Sequence, residues 1–418
     1  MDITMLTQID HAKNGTVTPE MQYVAKKEGM DENTVLSRVA EGSLVIMVRD
    51  GCPPTAIGKG ASTKINVNLG TSAASINPAS ELQKAAIAEK YGADTITDLS
   101  MGGSISRIRK SIFENTTLPI TTVPIYQAIV EKGLKTVTED DIISYLRLQV
   151  EEGVSSVVLH CVDKKMLETV KGSGRVMGMV SKGGSFTSVF MLTNDCDNPY
   201  LNNFEEVLDI LREKDVVLSL GNTMRSGCIH DPRDPAQLME MQTNANLANL
   251  ANKAGVQVII EGMGGHVAAS AIPEFVELYK STSPHPLFVA GPLPTDVALG
   301  YDHIAGAVGA SMATGAGADY LCYITPSEHL ALPTPDQVRE GLVAFKIAAH
   351  IGDSIKYGIS EKDRLLAERR ASFDWEGQME LAFDSDRPRD ICPMVGPCSM
   401  CGEYCAIQIM GEYLEGKE

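Results

Sequence analysis

The densest group of chemistry-bearing residues lies near the end of the 418-residue chain, where Cys398, Cys401 and Cys405 form a C-x2-C-x3-C run and Cys392 stands six residues upstream. Met1-Asp2-Ile3-Thr4 opens with neither a basic segment nor an apolar run, so a cytoplasmic protein with reduced thiols is expected. Clustered reduced cysteines indicate metal binding or catalysis before disulfides. Three thiolates can hold three irons of a [4Fe–4S] cluster and leave the fourth iron open, whereas four would close a tetrahedral zinc site with Cys392. The spacing by itself leaves both open.

Further groups sit upstream. Ser181-Lys182-Gly183-Gly184-Ser185 offers two hydroxyls, an ammonium and glycines that allow close backbone approach, a combination suited to a phosphate monoester. Arg225 could add a bidentate anion contact. Glu261-Gly262-Met263-Gly264-Gly265-His266 and Pro326-Ser327-Glu328-His329 each carry one histidine, and His266 with His329 could share a divalent metal, zinc or iron. Thirty-six basic against 54 acidic residues leave a net charge of −18, which argues against nucleic acid as a partner while allowing a small phosphorylated substrate. The sequence has no apolar run near the roughly 18 residues of a membrane span, so no membrane partner is expected.

These residues need elements to position them. β-rich runs at 64–69, 95–99, 120–126, 155–161, 216–220, 256–260, 286–290 and 320–325 alternate with helical patterns, clearest at 79–91, 139–151, 203–213, 235–253 and 303–314. Eight β/α units predict an α/β fold, a (β/α)8 barrel over 61–332, after a small lead-in region at 1–60 and before a helical, cysteine-bearing region at 333–418. Such barrels place their chemistry at the C-terminal strand ends. Asn68, Asp98 with Ser100, Tyr126, His160, Asn222 with Arg225, Glu261 with His266, Asp296, and Thr325 with His329 occupy those ends.

Several stretches carry a resemblance: Lys64-Ile65-Asn66-Val67-Asn68-Leu69-Gly70, Val123-Pro124-Ile125-Tyr126-Gln127-Ala128, Val180-Ser181-Lys182-Gly183-Gly184-Ser185, Gly300-Tyr301-Asp302-His303 and Leu321-Cys322-Tyr323-Ile324-Thr325-Pro326. With them, residues 57 to 405 resemble the phosphomethylpyrimidine synthase superfamily, a divergent branch of radical S-adenosylmethionine enzymes. The resemblance implies a barrel, and homodimers in which one chain's tail reaches the partner's barrel. It assigns a [4Fe–4S] cluster to Cys398, Cys401 and Cys405, and an additional metal ion to His266 and His329. For aminoimidazole ribotide it implies a site lined by Asn68, Thr97, Tyr126, His160, Ser181, Lys182, Gly183, Asn222, Thr223, Met224, Arg225, Glu261 and Phe288. It implies further that an external one-electron reductant feeds the cluster, which cleaves S-adenosylmethionine to methionine and a 5′-deoxyadenosyl radical. Glu261 and Tyr126 are the candidates for positioning or proton transfer.

Where the pyrimidine synthases have C-x2-C-x4-C, this tail is one residue shorter, and where they read Asp-Gly-Leu-Arg it reads Asn222-Thr223-Met224-Arg225. Thr97 and Phe288 also depart from their pattern, and an extra glycine separates Glu261 from His266. These substrate-wall changes favour the paralogous 5-hydroxybenzimidazole synthases, which release formate and phosphate while making the cobalamin lower ligand. Phosphomethylpyrimidine synthesis for thiamine is the alternative. A non-redox barrel with a zinc-stabilised dimerisation tail is a third, more distant one.

Overall fold

The computed structural model describes residues 6–231, 233–392 and 394–414. Three helices, Gln8–Lys13, Pro19–Glu28 and Glu32–Glu41, precede an antiparallel hairpin of β1 (Leu44–Met47) and β2 (Thr55–Gly58). Eight parallel strands follow: β3 (Lys64–Leu69), β4 (Thr95–Asp98), β5 (Ile120–Thr122), β6 (Ser156–Leu159), β7 (Val217–Leu220), β8 (Val258–Glu261), β9 (Leu287–Ala290) and β10 (Tyr320–Cys322). Each pairs with its neighbour in sequence, and β10 closes on β3 with Tyr320 opposite Lys64. The fold is therefore the α/β barrel expected from the alternation.

Burial on both faces explains why the strands were legible as short apolar runs. Between them, helices bury one stripe: Val207, Leu208, Ile210 and Leu211 in Phe204–Arg212. Capping fixes their starts. Thr138 and Asp141 form a capping box before Glu139–Glu151, and Asp234 with Gln237 does the same before Pro235–Lys253.

Two expected strands are shorter than their apolar runs suggest. The run 120–126 leaves the sheet after Thr122, because Pro124 lacks an N–H and starts the helix Pro124–Lys132, so Tyr126 stands in a first helical turn. The run 320–325 stops at Cys322.

The lead-in hairpin works by alternation. Val45, Met47 and Ile57 pack against Val217, Ile259 and Tyr320 near the strand starts, while Leu44, Ile46 and Ala56 pack with Ile9, Val24, Val35 and Val39 of the three helices. Gln257 ties the hairpin to the barrel, accepting from the Ile46 N–H at 2.7 Å and donating to the Ile46 carbonyl at 3.1 Å.

The chain divides into two compact units, Met1–Lys356 and Tyr357–Glu418. In the second, helices Glu361–Ala371 and Trp375–Leu381 lead to the cysteine run, and the Trp375 indole N–H donates to the Gly396 carbonyl at 3.0 Å. A short 3-10 turn at Gly402–Tyr404 separates Cys401 from Cys405, and the helix Ala406–Leu414 follows. Among the described residues, no helix is long and apolar enough to cross a membrane.

Candidate active site

A cavity opens at the C-terminal strand ends. Nine of the residues expected to face a substrate line it: Asn68, Thr97, Tyr126, His160, Ser181, Asn222, Arg225, Glu261 and Phe288. Leu99, Val123, Val158 and Ala290 complete the wall with apolar surface. Phe288 leans on the barrel interior, its ring stacked on Tyr320 at a centroid distance of 4.0 Å.

Arg225 is the one cationic side chain among the lining residues, and Glu261 the one carboxylate. Ser181 is the N-cap of the helix Lys182–Asn194, accepting from the Gly184 N–H at 3.1 Å. The expected phosphate turn is thus the first turn of a helix, whose free N–H groups and dipole favour an anion. Gly183 permits this approach, since a Cβ there would come within 2.4 Å of the His160 ring. Lys182 lines an adjoining pocket with Thr71, Ser327, Glu328 and His329, its ammonium 5.6 Å from the Tyr126 ring centroid. Burial and the nearby Arg225 lower the Lys182 pKa.

Glu261 accepts from the Ser219 hydroxyl at 3.0 Å, and burial raises its pKa above the usual carboxylate value against the opposing pull of Ser219 and Arg225. Burial also pushes the Tyr126 phenol up to about 12, so it stays protonated. For His160, burial followed by repulsion from Arg225 depresses the pKa to about 3, and its Nδ1 lies 3.1 Å from the Thr223 hydroxyl. The wall therefore presents a neutral imidazole, a phenol that can donate and a carboxyl whose proton affinity burial raises.

At the rim, His266 Nε2 and His329 Nε2 face each other at 3.4 Å. Nδ1 of His266 meets Asp296, and Nδ1 of His329 lies 3.2 Å from Asp302. Two outward nitrogens at this separation, each ring oriented by a carboxylate, fit two ligands of one divalent ion with metal–nitrogen bonds of about 2.0–2.1 Å. The φ of His329 is +63°, an αL conformation that costs energy in a non-glycine residue and is held here where its ring turns to His266. Gly265, which precedes His266 in its loop, has φ +83°, and a Cβ there would sit 2.2 Å from the Ser226 carbonyl.

Cys398 is half-buried, Cys401 exposed and Cys405 buried, all three as free thiols. Among the described residues, no three His, Cys, Asp or Glu side chains are gathered tightly enough to hold a metal ion. The donor set itself, three thiols within eight residues, fits a cluster with one open iron.

Thr223 and Met224 stand behind the wall. Met224 is fully buried with Val162, Met166 and Met191. Two participants escaped the sequence reading. Cys322 lines the cavity and accepts from the Asn68 amide at 3.0 Å, its thiol pushed up to about 12 by burial. Glu240, in the helix Pro235–Lys253, accepts from the backbone of Thr223 and Met224. Its position mid-helix carries no sequence signal of a site.

The chain matches the Radical SAM ThiC family over residues 7–412. It is 45% identical to the phosphomethylpyrimidine synthase of Dehalococcoides mccartyi, covering 98% of each chain, and 42% identical to that of Methanocaldococcus jannaschii, covering 97% of this chain and 99% of the other. These relatives overturn the expected 5-hydroxybenzimidazole synthase and its role in the cobalamin lower ligand. The structure shows why the wall substitution misled: the Asn222 amide donates to Glu240 at 2.8 Å and accepts from the Gly264 N–H at 3.1 Å, so it joins loops and does not make the wall apolar. Matched along nearly all its length, and with Asn68, Tyr126, His160, Asn222, Arg225 and Glu261 from the expected strand ends lining one cavity, this chain belongs to the Radical SAM ThiC family, whose chemistry implies an iron–sulfur cluster and S-adenosylmethionine.

Proposed function

We propose that the protein is a radical S-adenosylmethionine lyase that converts aminoimidazole ribotide to phosphomethylpyrimidine for thiamine synthesis. The observation that carries the reading is the cavity's polarity: one cation, Arg225, beside the Ser181 helix start, and one carboxylate, Glu261, in an otherwise neutral wall. Arg225 and the first-turn N–H groups bind the phosphate, and Asn68 and Thr97 meet the ribose. Leu99, Val123, Val158 and Phe288 exclude water from the reacting sugar. Tyr126 donates a hydrogen bond through its protonated hydroxyl, and Glu261 takes or returns a proton during the rearrangement.

Cys398, Cys401 and Cys405 would hold the [4Fe–4S] cluster, which when bound supplies the one-electron reduction of S-adenosylmethionine that starts the reaction, fed by an external reductant. His266 and His329 would hold a divalent ion, with Asp296 and Asp302 orienting their rings. A homodimer in which each tail serves the partner's barrel completes the proposal.

The test is anaerobic reconstitution with iron, sulfide and a reductant, followed by measurement of 5′-deoxyadenosine and methionine with and without aminoimidazole ribotide. Formation of both that depends on the ribotide is expected. Cleavage indifferent to the ribotide, or none with an intact cluster, would contradict the reading.

A further inference from the structure

Glu240 lies outside the cavity and is 1% exposed, yet its carboxylate touches the backbone of the active-site wall. Oε1 accepts from the Thr223 N–H at 2.7 Å, and Oε2 accepts from the Met224 N–H at 2.9 Å and from the Asn222 side-chain amide at 2.8 Å. Each of these contacts leads to another wall. Asn222 Oδ1 accepts from the Gly264 N–H in the loop that carries His266, and its own N–H points to Glu261 Oε2 at 3.4 Å. The Thr223 hydroxyl meets His160 Nδ1, and its methyl lies where a Cβ on Gly184, in the first turn of the Ser181 helix, would stand. Met224 leads directly to Arg225, whose guanidinium donates back to the Asn222 carbonyl at 3.2 Å.

We propose that Glu240 and Asn222 form a clamp that sets the positions of Arg225, His160 and the Gly264–His266 loop together, making Glu240 a positioning residue for phosphate binding. The proposal rests on the ribotide reading for its ligand, but not for its geometry. A carboxylate suits the role because two oxygens can accept three N–H groups, whereas a glutamine at 240 would turn an N–H2 toward at least one backbone donor. An aspartate at 222 would instead set two carboxylates against each other across the 2.8 Å contact. Burial raises the Glu240 pKa to about 7, opposed by those three hydrogen bonds.

The test compares the parent, Glu240→Gln, Asn222→Asp and the double variant in reconstituted enzyme by amide hydrogen exchange and by calorimetric binding of aminoimidazole ribotide. In Glu240→Gln, exchange should quicken in segments 222–225 and 264–266 while β7 stays protected, and the ribotide dissociation constant should rise about tenfold or more. The double variant restores the donor–acceptor pair between 222 and 240 but leaves one backbone N–H facing the glutamine N–H2, so both readouts should fall between those of Glu240→Gln and the parent, and this arm stands even if Asn222→Asp folds poorly. Exchange that rises uniformly through the barrel, or unchanged exchange with a dissociation constant within about twofold of the parent, would overturn the clamp. Should the parent itself not bind the ribotide, the functional reading fails, and the exchange pattern still decides the clamp.

Discussion

Arg225 is the one cationic side chain that lines the cavity among the described residues, and the proposed phosphate contact rests on it. Arg225→Ala should weaken ribotide binding by about 1.5–3 kcal/mol, roughly ten- to hundredfold, with iron and sulfide content unchanged. Titration calorimetry on the reconstituted enzyme checks this, and an unchanged constant would remove the phosphate from this corner. His160 carries a pH prediction. Its folded pKa, about 3, lies below the ordinary 6.5, so the unfolded chain binds the proton first, and the stability it contributes is present above pH 6.5 and lost as pH falls from there toward 3. The slope should be about 1.4 kcal/mol per pH unit inside that window. His160→Gln should remove that component from urea unfolding measured between pH 5 and 7, and an identical slope in both proteins would contradict a neutral buried imidazole.

At the scale of elements, strands and capped helices were legible because their signals are local: short apolar runs, Pro at N1, Asp or Thr before a helix. Tyr126 lines the cavity from a helix and not from the expected strand, since one proline outweighs an apolar run that reads as strand through 126. Glu240 was invisible because its role depends on which loop its helix packs behind, a non-local fact. The hairpin β1–β2 shows the same limit. Its apolar run marked buried structure, but the alternation of Met47 toward the barrel and Ile46 toward the helices needs both partners. Met47→Ala should therefore cost about 2–5 kcal/mol of stability in urea unfolding. Ribotide affinity should stay within about twofold, because the hairpin meets the opposite end of the barrel from the cavity. A loss of affinity without loss of stability would show that the hairpin acts on the site.

For the whole molecule, the barrel with its cavity and the cysteine tail belong to separate compact units. Alanine at Cys398, Cys401 or Cys405 should abolish bound iron and sulfide after anaerobic reconstitution, whereas Cys392→Ala should keep both, because three thiolates leave the open iron that the chemistry needs. Equal loss in all four variants would indicate a four-thiolate site. The choice of product was the part least legible in the sequence. A neutral amide at 222 favoured the benzimidazole product, while the folded chain uses that amide to bond Glu240 and Gly264. The central claim is decided most directly by mass spectrometry of the product formed from aminoimidazole ribotide and S-adenosylmethionine by the reduced, reconstituted enzyme. A phosphorylated hydroxymethylpyrimidine is expected as the main product, and an unphosphorylated hydroxybenzimidazole accompanied by inorganic phosphate would overturn the proposed function.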